Sequence, residues 1–146
     1  MYANDGFREL GLRECLRLMA TVPVGRIVYT RYALPAVLPV NFGLDADGAV
    51  VLRTSASSDL VRAVNGAVVA FETDQFDTVR HAGWSVVVTG TAAVMRDPEE
   101  HERLVRNMPV SWVPCAQEVF IRIEPEVVSG RELVGGGPMH GVGLSA

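Results

Sequence analysis

From Gly83 to Met95 the chain places Trp84, Val86, Val88 and Val94 on one face at a period of two, with Ser85, Thr89 and Thr91 between or beside them. This spacing predicts one long strand, bent at Gly90. A residue without a Cβ permits the close approach and coiling that a small, nearly closed sheet requires. The run therefore predicts a barrel-like sheet that turns a corner at Gly90.

The flanking segments agree with an antiparallel meander. Gly25 to Tyr32 is rich in β-branched and aromatic residues and reads as a first strand, turned back at Ala33-Leu-Pro35 into a second that runs from Ala36 to Leu44. Asp47-Gly48 marks a hairpin into a third strand, Ala49 to Thr54. Pro39 lacks a backbone donor, which puts its part of the second strand at an edge or a bulge. Ala67 to Phe71 reads as a short apolar strand followed by a loop holding Glu72, Asp74 and Asp77. Glu118 to Glu124 alternates cleanly as the last strand, before a passage from Val127 to Leu133 through Gly130 and Arg131.

Three helices are expected. Cys15, Leu16 and Met19 share a face from Leu12 onward, closed by Pro23, and Leu60, Val61 and Val64 share one on a shorter segment. Asp97-Pro98-Glu99-Glu100 supplies an N-cap, a proline at the first helical position and two acids at the positive end of the dipole. Met108 to Pro114, with Trp112, is a proline-bounded connector. Residues 1–11 are read as a lead-in, 12–134 as one domain and 135–146 as a glycine-rich tail.

A length of 146 residues and a hydrophobic fraction of 49% suit a single domain with an ample core. A formal charge of −4 argues against broad contact with nucleic acid or an anionic membrane. No apolar stretch approaches the roughly 18 residues of a membrane span. The 13 basic residues are all arginine. Without lysine there is no Schiff base to pyridoxal phosphate, and a phosphate must be held by arginine, hydroxyls or backbone. Cys15 and Cys115 lie far apart, with no C-x-x-C pair and no signal-like run, so a reducing cytoplasm is the expected setting. His81, His101 and His140 lack metal-ligand spacing, and no hydrolase, zinc, Rossmann or Walker pattern appears. A cofactor enzyme remains open, because a flavin performs electron transfer itself and needs the protein mainly for position.

The segment from Ala36 to Val64 bears on the ligand. It reads as strand, hairpin, strand and then a helix preceded by Ser55-Ala-Ser-Ser58. Two adjacent strands make a floor for a flat molecule, and a serine-rich helix start presents backbone N–H groups to an anion. A planar molecule with a phosphate tail fits this description.

In order along the chain, Pro39-Val-Asn-Phe42, Leu52-Arg-Thr54 with its serine-rich turn, Phe71-Glu-Thr-Asp74 and Gly83-Trp-Ser-Val-Val-Val-Thr-Gly-Thr91 resemble the pyridoxamine 5′-phosphate oxidase-like flavoproteins. The resemblance spans roughly Leu12 to Leu133. It implies a mainly β fold with short helices, an antiparallel six-stranded split β-barrel of the FMN-binding type, working as a homodimer with the cofactor at the interface. By position it implies that Pro39, Val40 and Asn41 face the flavin ring, that Arg53 and Thr54 lie beside ring and phosphate, and that Ser58 binds the phosphate. Trp84 and Ser85 match residues that approach the ring. The implied activity is that of an FMN-dependent oxidoreductase acting on a small organic substrate. A deazaflavin-dependent reductase, or a non-catalytic flavin- or haem-binding or cofactor-less dimeric module, are the alternatives. Neither a catalytic group nor a metal ligand is singled out. Asp59 and Leu60 follow Ser58 where the family usually has one or two basic residues. A phosphate there would meet a carboxylate unless Arg53, Arg62 or an arginine of a partner chain compensates, with Arg131 as a further candidate.

Overall fold

The computed structural model describes residues 6–135. They form β1 (Phe7–Leu10), α1 (Leu12–Met19), β2 (Val24–Arg31), β3 (Leu34–Asn41), β4 (Gly43–Leu44), β5 (Val50–Ser55), α2 (Asp59–Val64), β6 (Val68–Asp77), β7 (Ala82–Met95), α3 (Pro98–Asn107), β8 (Glu118–Ile123) and β9 (Val127–Leu133). The order in the sheet is β3-β2-β6-β7-β8-β5-β4, with β9 pairing β1 and β7, and every pairing is antiparallel.

The mainly β, antiparallel class is the one the sequence predicts, but the six-stranded count is too low. The sheet has 9 strands and does not close on itself. The lead-in contributes β1, because its backbone finds an edge on β9. The second strand is cut in two at Phe42, whose N–H turns to the carbonyl of Pro23 at 3.3 Å, leaving β4 as a separate stub. The passage from Val127 to Leu133 pairs along β7 and becomes β9.

β7 organises the sheet. One edge pairs with β6 from Ala82 to Thr91, while the other is divided between β9 over Gly83–Thr89 and β8 over Ala92–Met95. Gly90 sits at that division, where a Cβ would lie 1.7 Å from the carbonyl oxygen of Glu124. Only glycine lets the two backbones pass. Along β7, Trp84, Val86, Val88, Ala92 and Val94 are buried in strict alternation. They pack with Ile27, Phe71, Leu52, Ile121 and Ile123, with Cys15 and Met19 from α1, and with Leu60, Val61 and Val64 from α2.

Two local readings change. The first hairpin turns at Tyr32–Ala33, both with positive φ (51° and 62°), one residue ahead of the expected Ala33-Leu-Pro35 turn. Glu72, Asp74 and Asp77 lie within β6 rather than in a loop, because the β6 backbone is paired with β7 along its whole length. Arg26 on β2 answers the first two, at 3.1 and 3.3 Å. The N-cap of α3 is as expected, with Asp97 accepting from the N–H of Glu99.

That helix is fastened to the sheet by charge. The carboxylate of Asp45, only 8% exposed, accepts from Arg103 at 2.9 and 2.8 Å and from Arg122 at 2.7 Å. Hydrogen bonding to Arg103 holds the Asp45 carboxyl well below the usual carboxylate range. Among the described residues, no helix is long and apolar enough to cross a membrane. The glycine-rich tail beyond Gly135, with His140, lies outside the described residues.

Candidate functional site

β3 pairs only with β2 among the described residues, and the facing edge of β5 is met only by the short β4. No strand bridges the two here, so the core opens. The period-two face of β2 that buries Ile27 continues through Tyr29 and Arg31, and the matching faces of β3 and β5 add Leu38, Val40, Leu52 and Thr54. Together with the connector from Ser111 to Cys115 they enclose a cleft of about 690 Å³.

One end of the cleft is polar, with Ser55, Ser58, Asp59 and Arg31. The Ser58 hydroxyl accepts from the N–H of Val61 at 3.3 Å and from the Thr54 hydroxyl at 3.2 Å. It therefore caps α2 and keeps its own proton to donate. Asp59 accepts from Arg31 at 2.7 Å and from Arg62. Its charge is thus met by two guanidinium groups, one of which, Arg31, lines the cleft. The Arg31 guanidinium also lies 5.1 Å from the centre of the Tyr32 ring.

Six of the residues carried over by resemblance line this one cleft: Pro39, Val40, Asn41, Arg53, Thr54 and Ser58. Two of them are tied to the protein, Asn41 through its whole amide and Arg53 through its two terminal nitrogens, the Arg53 Nε being buried without a hydrogen-bond partner. The Asn41 amide donates to the carbonyl of Val110 at 2.9 Å and accepts from the N–H of Trp112 at 3.0 Å, so it pins the connector that walls the cleft. The Arg53 side chain, 8% exposed, donates to the carbonyls of Val105 and Met108, both at 2.9 Å, and to Glu118 at 3.1 Å, over the ring of Phe120. It closes the carbonyl end of α3, where a cation is favoured. It is therefore not available to offset Asp59.

Trp84 and Ser85 do not line the cleft. Trp84 is 7% exposed within the core, and Ser85 sits in the sheet opposite Asp74 and Arg131. Arg131 is likewise outside the cleft, its guanidinium 4.6 Å from the centre of the Phe7 ring. The residues that sequence reasoning missed are Tyr29, Arg31, Leu38, Leu52 and the connector from Trp112 to Cys115. The period-two continuation beyond Ile27 was a legible signal for Tyr29 and Arg31. For the connector none exists, since it reaches β3 only through tertiary contact.

The chain is thus a split, open antiparallel sheet with an apolar-floored cleft whose polar end holds hydroxyls, Arg31 and Asp59. The chain belongs to the pyridoxamine 5′-phosphate oxidase-like family, whose pyridoxamine 5′-phosphate oxidase model matches residues 12–132. An uncharacterized protein of Mycobacterium tuberculosis is 45% identical over 131 residues, covering 86% of this chain and 85% of its own. An FAD binding protein from Mycobacterium smegmatis has a solved structure similar at a TM-score of 0.78 and 32% identity, over 88% of this chain and 100% of that one. A conserved protein of unknown function from Corynebacterium diphtheriae is similar at a TM-score of 0.75 and 35% identity, over 89% and 100%.

Proposed function

We propose that the chain is a flavoprotein that takes FMN into the cleft between β3 and β5 and acts as a homodimeric oxidoreductase on a small organic substrate. The observation that carries this reading is the cleft. Its volume of about 690 Å³ falls within the roughly 300–1,000 Å³ of ligand sites. Leu38, Val40 and Leu52 offer an apolar floor for a ring, and Arg31 and the Ser58 hydroxyl are donors suited to a phosphate at one end. Bound there, FMN would supply the hydride and electron transfer. The chain's own part is to hold and enclose it: Asp59 orients Arg31, Asn41 fixes the connector, and Trp112 and Val113 on that connector limit water on the open side.

FAD is the second reading, favoured by the relative from Mycobacterium smegmatis described as an FAD binding protein. A deazaflavin's more acidic tail asks for cations beyond Arg31. Haem asks for an axial ligand; among the described residues the lining holds no histidine, and Cys115 and Tyr29 are the side chains there of a type that ligates haem iron.

The dimer reading rests on a row across the outer face of the sheet, in which Val37, Val28, Ala70, Thr89 and Val127 stand in cross-strand register. Val37 is 60% and Val127 61% exposed, so the row leaves an apolar band uncovered in one chain. The test is spectroscopic and chromatographic. Purified protein should carry flavin absorbance, release FMN on denaturation and scatter light as a dimer. A colourless protein that binds neither FMN nor FAD on titration removes the cofactor assignment, and a monomer mass at micromolar concentration removes the dimer.

A further inference from the structure

Asn41 stands between two hollows. Beyond it from the cleft lies a second cavity of about 460 Å³, framed by the end of α1 and the turn after it, by β4, and by the chain leaving α3 at Asn107–Pro109. Asn41 and Trp112 belong to the walls of both hollows. Their chemistry differs. The cleft is lined by Arg31, Arg53 and Asp59 among others, whereas none of the residues lining the second cavity is ionisable. Its deep wall is apolar, with Met19, Phe42 and Met108 at 0%, 6% and 8% exposure, while Trp112 is left 66% exposed. One hydroxyl faces the set: Thr21 donates to the carbonyl of Leu18 at 2.6 Å and keeps its oxygen free to accept.

We propose that this second cavity is a subsite for an uncharged, planar aromatic small molecule, seated against Trp112 beside the cofactor cleft. The adjacency to a flavin rests on the function proposed above; the binding itself does not. An ion entering the cavity would leave water and meet no counter-charge in the wall. A neutral ring gives up little hydration, covers apolar surface and gains an offset or edge contact with an indole. The volume lies within the range of small-molecule sites. Asn41 links the two hollows, because its bonds to the Val110 carbonyl and the Trp112 N–H hold the backbone that carries the indole against the same strand that floors the cleft. A molecule in the second cavity would thus lie one side chain away from whatever occupies the first.

The test titrates the full chain, 15N-labelled, with 4-nitroanisole as the neutral probe and 4-nitrobenzoate as a charged ring of similar size, both with and without added FMN. Saturable shifts are expected at the amides of Thr21, Gly43 and Leu44, with 4-nitrobenzoate binding at least tenfold more weakly. Thr21→Trp, which fills the cavity from an exposed position, should abolish saturation. Trp112→Ala, at an exposed residue, should weaken the neutral probe at least fivefold even where Thr21→Trp fails to fold. Shifts confined to Leu38, Val40 and Ser58, equal binding of the carboxylate, or normal affinity in Trp112→Ala would each overturn the inference. The two readings separate cleanly. A chain that binds no flavin but saturates with 4-nitroanisole at Thr21 and Leu44 keeps the subsite and loses the cofactor. A chain that takes FMN but not the probe keeps the cofactor and loses the subsite.

Discussion

Asp59→Asn isolates the electrostatics of the polar end of the cleft. The carboxylate is about half exposed (51%) and its partners Arg31 and Arg62 are 40% and 66% exposed. Pairs this exposed contribute about 0–1 kcal/mol each, so the folded state should lose no more than about 1 kcal/mol. The effect on a phosphate is larger. A phosphate held by Arg31 and Ser58 would sit about 6 Å from the carboxylate, where one unit of charge is worth about 0.7 kcal/mol at a dielectric constant near 80 and about 2.8 kcal/mol near 20. Removing it should tighten FMN by about threefold to a hundredfold. The gain should shrink as salt rises, since both groups are reached by solvent. Flavin fluorescence titrations of FMN and riboflavin, at low and high salt, measure this directly. If riboflavin gains as much as FMN, the phosphate is not beside Asp59. If FMN binds more weakly, the orienting of Arg31 by Asp59 outweighs its repulsion, and the sign of the reasoning is wrong.

Asn41→Leu removes two hydrogen bonds to the connector, each worth about 0.5–1.5 kcal/mol, and the low end applies because water can replace them at this exposed position. Thermal unfolding should therefore shift by about 1 kcal/mol while amide exchange from Val110 to Val113 accelerates and flavin affinity falls. An unchanged exchange pattern would mean that Asn41 does not hold the connector. Asp45→Asn leaves Arg103 and the largely buried Arg122 against a neutral group and should cost about 3 kcal/mol of stability at neutral pH. The folded pKa of Asp45 is depressed below its ordinary 3.8, so the stabilisation is present above about pH 4 and is lost as pH falls further. Glu72 runs the other way. Burial, with Asp74 beside it, pushes its pKa from 4.5 up to about 7, so stability declines as pH rises from 4.5 through 7. Denaturant unfolding across pH should show this decline, and Glu72→Gln should flatten it. A Glu72→Gln profile parallel to that of the unaltered chain would show that Glu72 is not the group responsible.

What the sequence made legible was local. Gly90 announced a close approach, Asp97 a helix cap and Asp47-Gly48 a hairpin, because each solves a steric or hydrogen-bonding problem within a few residues of itself. The antiparallel class followed from those turns and from the strict alternation along β7. The ends of β6 did not. Glu72, Asp74 and Asp77 look like a polar loop, and they lie in a strand because β7 pairs with them from Ala82 onward, with Arg26 meeting the charge of Glu72 and Asp74.

The same division runs through the site. Ser58 could be read as a helix cap because its partner Val61 is three residues on, whereas Asn41 and Arg53 reach partners more than fifty residues away, across the connector and the end of α3. Resemblance placed both residues at the ligand, and the structure puts both in the cleft wall, the Asn41 amide and the terminal nitrogens of Arg53 bonded to the protein and the Arg53 Nε without a partner. A residue kept for holding the wall and one kept for touching the ligand look alike in a sequence. Arg31 is the converse case. No local motif marks it, yet the period that buries Ile27 carries Tyr29 and Arg31 along the same face, past the end of the core and into the opening. Continuing a strand's inward face beyond its last apolar residue is therefore a rule by which this family's cation could be sought. Here it finds Arg31, carried by β2 to the polar end of the cleft and paired there to Asp59.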